Sequence, residues 1–306
     1  MFIKQALQGK NDWFGYLGGF VFTMFSWQLI GALPLLIVLM QKNLVNSSLA
    51  QMANTIGFNN FLILNIISFG VGLLGLFFWV TKYHGLSILK LTTTRTNVNW
   101  KRVFLAFLVV AITSAVQVYV DYGMHPESYE WNFNLDKFLV LLGVVLLLPI
   151  QTSFEEYLFR GYLMQGIGVV TKTKWLPLVV TSVVFGLMHL GNPEVDKLGP
   201  IVMVYYIGTG FSLAIMTLMD EGMELALGFH AANNMIGALL VTADWSAIQT
   251  DSVLKDISTP EMGMDVLFPI VSQILILVIF AKIFKWNDWK GKLFGKLQVQ
   301  TNETTN

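Results

Sequence analysis

The sequence predicts an all-α fold, a polytopic transmembrane bundle of about eight helices, from two observations. Of the 306 residues, 55% are hydrophobic and only 12% are charged, whereas about a quarter of the residues of an ordinary soluble domain are charged. The apolar residues are also gathered into long runs, and a helix needs about 17 to 25 mostly apolar residues to cross a bilayer. Together these observations exclude a soluble fold.

Eight apolar runs along the chain are long enough, or nearly long enough, to span a membrane. The first is much longer than the apolar core of a signal peptide and no cleavage pattern follows it, so it is interpreted as a retained helix. Pro149 interrupts the fourth run and predicts a kink six residues before Glu155. The fifth run is the shortest, and the break at Asp220 and Glu221 is the least secure boundary. The predicted runs are 13–40, 60–80, 103–120, 138 onward, 175–190, 198–219, 222–241 and 266–284.

The basic residues predict the orientation, because loops on the cytoplasmic side are enriched in lysine and arginine. A cytoplasmic amino terminus places 15 of the 19 basic residues inside, Arg160 among them, and leaves only four outside: Lys42, Lys137, Lys197 and Lys255. Both termini are therefore predicted to be cytoplasmic. The absence of cysteine and the short tails favour a bacterial plasma membrane. Since the basic clusters flank spanning runs, bilayer lipid explains them and no nucleic-acid partner is predicted.

The stretch EEYLFR, residues 155–160, carries three charged side chains directly after an apolar run. Charges at membrane depth are costly, so they indicate a functional site. Glu156 and Arg160 are four apart and can pair on one helical face. Glu155 points about 100° away from its neighbour, which leaves its carboxylate free to act. The alternative is a charge cluster at a helix end whose side chains reach toward water.

Two of the four histidines lie in later apolar runs, in FGLMH (185–189) and HAANN (230–234). A lone histidine there is often only a hydrogen-bonding group between helices. His230 and Asn234, however, are four apart and project from one helical face. With Glu155 and His189 they offer a base, a second proton acceptor and two hydrogen-bond donors. Hydrolysis by activated water requires this combination of groups.

The three motifs, in this order along the chain, resemble those of a family of intramembrane endopeptidases. EEYLFR corresponds to EExxxR, FGLMH to FxxxH and HAANN to HxxxN/D. This family is the CAAX protease and bacteriocin-processing (CPBP, or abortive-infection) family, which includes type II CAAX prenyl endopeptidases, and the resemblance covers about residues 138–242. It implies that Glu155 and His189 activate a water molecule, and that His230 and Asn234 form the oxyanion site. A neutral His230 suffices for this if its N–H faces the oxyanion. The implied substrate is a membrane-associated peptide or protein.

Other hydrolytic mechanisms find less support. The chain has no cysteine, which removes a thiol nucleophile, and its serines lack the GxSxG context of a nucleophile elbow. Zinc stays an alternative, because Glu155 or Glu156 with His189 and His230 would make a ligand set of the thermolysin type. The HExxH signature that usually presents such ligands is absent. The cofactor prediction is therefore none, with zinc as the alternative.

The sequence shows no internal repeat, so a single transmembrane domain is predicted over residues 1–296, with the catalytic core at 138–242. A short polar cytoplasmic tail is predicted at 297–306. Two function classes compete with a protease. A non-catalytic scaffold or bacteriocin self-immunity protein could keep the same fold, and a transporter could use the carboxylates and histidines as a proton relay. No broken-helix pattern recurs in two halves, which disfavours the transporter.

Overall fold

The structure is a computed structural model and describes residues 1–258 and 264–298. Helices account for most of it, as the apolar composition predicts, and a small three-stranded sheet lies outside them. The helices are α1 (Trp13–Phe25), α2 (Leu33–Gln41), α3 (Leu49–Ile56), α4 (Phe58–Lys82), α5 (Ile88–Thr92), α6 (Trp100–Met124), α7 (Leu135–Val145), α8 (Leu148–Glu156), α9 (Met164–Thr171), α10 (Trp175–Leu187), α11 (Pro193–Leu198), α12 (Val202–Asp220), α13 (Glu224–Leu240), α14 (Met264–Ile283) and α15 (Trp289–Leu293).

Every predicted apolar run contains a helix, and the chain is an all-α multi-pass membrane protein. Five helical segments in the described ranges are long and apolar enough to cross a bilayer: Trp13–Gln41, Phe58–Lys82, Trp100–Met124, Leu135–Thr171 and Val202–Asp220. Two further apolar helices, Trp175–Leu187 and Leu267–Ile283, are shorter. The seventh run forms α13, which has 17 residues. The break predicted at Asp220 and Glu221 is confirmed, because α12 ends there and Glu221 adopts a left-handed conformation.

The fourth spanning segment is interrupted twice. The expected proline kink is wrong in position, since α7 ends at Val145 and Pro149 lies in the first turn of α8. Proline is well tolerated there because the first turn of a helix needs no backbone N–H donor. After Glu156 the backbone continues as a π-helix, Tyr157–Leu163, before α9 begins. Such π-helical turns are rare and occur frequently at functional sites.

Glycines permit the closest helix crossings around this segment. A Cβ atom on Gly210 of α12 would lie 2.5 Å from the carbonyl oxygen of Ser182 in α10. One on Gly228 of α13 would lie 2.1 Å from the carbonyl oxygen of Val103 in α6. Both pairs of helices pack along one another. Gly208 of the same helix α12, by contrast, has no atom of the described residues within 4 Å of such a Cβ.

The connecting segments separate into two faces, as the orientation analysis requires. One, called the basic face, is formed by residues 1–12, 83–99, 172–174, 221–223 and 284–298. Backbone hydrogen bonds join these segments, from Lys10 N–H to the oxygen of His84 at 2.9 Å and from Leu297 N–H to the oxygen of Lys172 at 2.9 Å. The amino-terminal and carboxy-terminal ends of the described chain both lie here.

The opposite side, called the sheet face, is formed by residues 42–57, 125–134, 188–201 and 241–258. Its strands are β1 (Tyr129–Trp131), β2 (Val241–Ala243) and β3 (Leu254–Asp256). The sheet has the order β1-β3-β2, with β1 antiparallel and β2 parallel to β3. Lys137 and Asp251 pair at this face, with their nearest N and O atoms 3.4 Å apart. Segments that are distant in sequence thus meet on the sheet face, the side with few basic residues.

Two details of the sequence analysis change. Arg160 was counted among the cytoplasmic basic residues, but its side chain is fully buried and belongs to neither face. The predicted tail 297–306 begins with Leu297, which is only 3% exposed. Residues 299–306 lie outside the described ranges.

Single cysteines test the two-faced topology, since the native chain has none. Cysteines at Asn97, on the basic face, and at Glu127, on the sheet face, replace exposed side chains. In intact bacterial cells we expect a membrane-impermeant maleimide to label the Glu127→Cys protein, while Asn97→Cys reacts only after permeabilisation. The opposite labelling pattern would invert the orientation.

Candidate active site

The Glu156 carboxylate and the Arg160 guanidinium form an ion pair in the protein interior. Arg160 Nη1 donates to Glu156 Oε1 at 3.1 Å, and both side chains are 0% exposed. The pairing predicted from the spacing of four is therefore confirmed. Arg160 Nη2 also donates to the carbonyl oxygen of Gly210 at 3.2 Å, which ties the pair to α12. Two buried charges are stable together only when such additional hydrogen bonds satisfy them.

His230 joins this pair from α13. Its Nδ1 lies 2.8 Å from Glu156 Oε1, so the same carboxylate oxygen accepts from Arg160 and from the imidazole. Its Nε2 lies 3.5 Å from Glu155 Oε2. His230 therefore stands between the two neighbouring carboxylates of the EExxxR motif.

This geometry changes the expectation that a neutral His230 could donate to an oxyanion. A carboxylate oxygen only accepts, so Nδ1 must carry the proton on the Glu156 side. A neutral imidazole then has a lone pair at Nε2 and no hydrogen to donate there. Nε2 becomes a donor only in the imidazolium form, whose charge, with that of Arg160, balances the two carboxylates.

Glu155 is held by a chain of side-chain amides. Gln151 Nε2 donates to Glu155 Oε1 at 2.6 Å, and Asn234 Nδ2 donates to Gln151 Oε1 at 2.9 Å. The other carboxylate oxygen, Glu155 Oε2, is buried without a hydrogen-bond partner in the part of the chain that the structure describes. Gln151 was not among the predicted site residues, although its position four residues before Glu155 was an available signal.

His189 is oriented by a backbone carbonyl, whereas His230 is oriented by a carboxylate. Its Nδ1 lies 2.8 Å from the carbonyl oxygen of Phe185, so Nδ1 carries the proton and Nε2 keeps a lone pair when the ring is neutral. The ring stacks on Tyr206, with the centroids 4.4 Å apart and the planes at 22°. This stacking fixes the orientation of a side chain that can accept a proton.

The Phe185 ring is the apolar centre of the site. It lies against the Arg160 guanidinium at 4.2 Å and contacts the rings of His189 and His230, with centroids 4.9 Å and 5.9 Å away. It is 2% exposed. The spacing of the FxxxH motif is thereby explained, because one residue supplies both the packing surface and the carbonyl oxygen that orients His189.

These side chains line one cavity of about 700 Å³. The cavity wall includes all four predicted catalytic residues, Glu155, His189, His230 and Asn234. It also includes Gln151. Glu156 and Arg160 do not line the cavity, but they contact lining residues: His230 donates to Glu156, and Arg160 packs against Phe185. The arrangement offers a carboxylate oxygen and an imidazole nitrogen that can accept protons, beside amide and imidazole groups that can donate.

The zinc alternative requires three of these groups to converge on one point. Within residues 1–258 and 264–298, no set of three or more histidine and carboxylate side chains is arranged to hold a metal ion. His230 Nδ1 donates to Glu156 and His189 Nδ1 to a backbone carbonyl, so each ring could offer only its Nε2 to a metal, as metal-bound histidines commonly do. The residues in this conformation do not fit a zinc site because three such groups do not converge, not because of these hydrogen bonds.

The fold and the site define a multi-pass membrane protein with a buried glutamate, histidine and arginine cluster. Residues 134–236 match the model of the type II CAAX prenyl endopeptidase Rce1-like family. The match contains all three motifs. The resemblance identified from the sequence is therefore confirmed.

One curated relative is the uncharacterized protein YyaK of Bacillus subtilis strain 168. It is 31% identical over 202 residues, which cover 65% of this chain and 66% of the relative. The similarity thus extends over just under two thirds of the relative's length. No solved structure matches the chain significantly.

Replacing Arg160 tests the buried ion pair. Arg160→Met leaves the Glu156 carboxylate buried without its guanidinium partner, a change that typically costs about 3 to 5 kcal/mol. We expect a clearly lower melting temperature in detergent, measured by thermal unfolding.

The matched control is Lys137→Met, which removes a cation from an ion pair whose lysine is 63% exposed. Such pairs contribute about 0 to 1 kcal/mol, so this variant should melt close to the wild type. Equal melting temperatures for both variants would contradict a stabilising role for Arg160.

Proposed function

We propose that the protein is an intramembrane endopeptidase that hydrolyses a peptide bond in a membrane-associated peptide or protein. The observation that carries the proposal is that two adjacent carboxylates, Glu155 and Glu156, have different partners and positions. Glu156 pairs with Arg160 and His230 outside the cavity lining, whereas Glu155 lines the cavity, and its Oε2, 3.5 Å from His230 Nε2, accepts no hydrogen bond from the described residues. The match of residues 134–236 to an endopeptidase family model supports the same reaction.

In the proposed mechanism Glu155 acts as the general base. Its Oε2 accepts a proton from water while the water oxygen bonds to the carbonyl carbon of the substrate, and the carbonyl electron pair moves to oxygen. His189 orients the water by accepting a hydrogen bond at Nε2. When the intermediate collapses, the C–N bond breaks and the departing nitrogen takes the proton from Glu155. The products are a carboxylic acid and an amine.

His230 and Asn234 are proposed to stabilise the oxyanion. Asn234 uses one of its two amide hydrogens on Gln151, so one remains to donate. His230 as imidazolium directs its Nε2–H toward Glu155 before the reaction. Once Glu155 takes the water's proton it is neutral, and the Nε2–H becomes available to the developing negative charge.

We also propose that the protein resides in the bacterial plasma membrane, with the basic face in the cytoplasm. The support is the unequal distribution of lysine and arginine between the two faces. Both termini would then be cytoplasmic.

Glu155→Gln tests the general base. The amide keeps the shape of the side chain but accepts a proton poorly, so we expect cleavage to be abolished while the melting temperature stays near that of the wild type. The assay uses liposomes that contain the purified protein and a library of fluorescence-quenched peptides tethered to a single apolar helix.

Glu130→Gln is the matched control, because Glu130 is an exposed glutamate of the sheet face, and it should retain full activity. Wild-type turnover by Glu155→Gln would contradict the assignment. A wild-type protein that cleaves no member of the library would favour the scaffold or immunity function.

Asn234→Ala separates the proposed mechanism from a zinc mechanism. Loss of one oxyanion donor typically lowers the rate about 100 to 1,000-fold. We expect that loss in kcat with little change in KM, together with activity that persists in the presence of a chelator. The control is Asn60→Ala, which removes an exposed amide on α4. Inactivation by chelation, reversed by added zinc, would overturn the metal-free mechanism.

A further inference from the structure

We infer that the cavity receives its substrate from the sheet face, so that the protein would cleave peptide segments exposed outside the cytoplasm. The inference rests on the proposed function for the cleavage step, and on the position of the cavity for the direction of entry. The cavity wall comes from α8, from the sheet-face halves of α4, α12 and α13, from the end of α10, from residues 188–194 and 241–256, and from Trp27, Gln28, Leu49 and Phe159. None of the described lining residues belongs to the basic face.

The basic side of the cluster is closed by packing. Beyond the Glu156–Arg160 pair lie Leu158 and Tyr162, and with them a core that reaches Phe2 and Leu91, all at most 2% exposed. Tightly packed side chains leave no route for a peptide through this layer.

An ion network closes the same side at the helix ends. Arg95 bridges α12 and α13, with an N to O distance of 3.0 Å to Asp220 and 3.0 Å to Glu224. Arg102 of α6 pairs with Asp220 as well. Three helices are thereby held together where they reach the basic face.

On the sheet-face side, by contrast, the cavity is lined by residues 245–249 together with residues of the 188–194 segment. Ala247 N–H donates to Glu194 Oε1 at 2.7 Å, which joins residues 245–249 to α11. Three buried polar atoms of the same region have no hydrogen-bond partner within the described residues: Glu194 Oε2, Trp245 Nε1 and Gln249 Oε1. They comprise two acceptors and one donor, and all three residues line the cavity.

Such atoms point to a peptide as the ligand. A buried polar atom without a partner costs about 1 to 3 kcal/mol in general, and a peptide backbone offers both N–H donors and carbonyl acceptors. The cavity wall contains the carboxylates of Glu155, Glu194 and Asp256 but no lysine or arginine among the described residues. Like charges disfavour binding, so the preferred segment is poor in acidic residues near the scissile bond.

Two tethered probes test the direction of entry in the full-length protein. Both carry the same quenched peptide library on one apolar helix, but one presents it outside the cell and the other in the cytoplasm. We expect Glu155-dependent cleavage of the outward probe only. Glu155-dependent cleavage of the cytoplasmic probe would overturn the inference.

A labelling experiment keeps the inference testable even if neither probe is cleaved. Ser246→Cys places a thiol on the sheet-face wall of the cavity, and the change is nearly isosteric. We expect an impermeant maleimide to label it in intact cells, and bound maleimide to block the Glu155-dependent cleavage. Labelling without any cleavage would support entry from the sheet face while contradicting the proposed protease. Labelling only after permeabilisation would overturn the direction of entry.

Discussion

The hydrogen bonds that converge on one carboxylate oxygen, Glu156 Oε1, are the interaction on which the site depends. Arg160 and His230 both approach this atom, from the same helical segment and from α13. Neither partner alone would compensate a carboxylate that is fully removed from water. Because Arg160 and His230 pair with Glu156, its neighbour Glu155 can line the cavity as a carboxylate whose Oε2 accepts no hydrogen bond from the described residues. The chemical difference between two identical side chains thus comes from their partners.

The surrounding fold keeps these partners in place. A π-helical turn follows Glu156 and carries Arg160, and the close crossing at Gly210 brings a backbone carbonyl to the guanidinium. The Phe185 ring fills the space between the cation and both histidines. Polar groups in a membrane interior are stable only within such enclosed surroundings. The packing of α10, α12 and α13 is therefore part of the site.

Periodicity and motif spacing predicted the helices, the Glu156–Arg160 pair and the family, since each of these depends on residues close in sequence. Other features depend on contacts between distant segments. The proton position on His230 follows from Glu156, 74 residues away, and the role of Gln151 follows from its bond to Asn234. The helix break before Pro149 could not be predicted from the proline alone, because Pro269 lies inside the continuous helix α14. The burial of Arg160, which the orientation analysis had placed in the cytoplasm, required the tertiary structure.

A double-mutant cycle on Glu156→Gln and Arg160→Met tests most directly whether the pair organises the site. The measured quantity is the free energy of unfolding of the two single variants and of the double variant. If each residue compensates the other, the double variant loses less stability than the sum of the single losses, with a coupling energy within about 0.5 to 3 kcal/mol. Additive losses, with a coupling energy near zero, would contradict this account of the site.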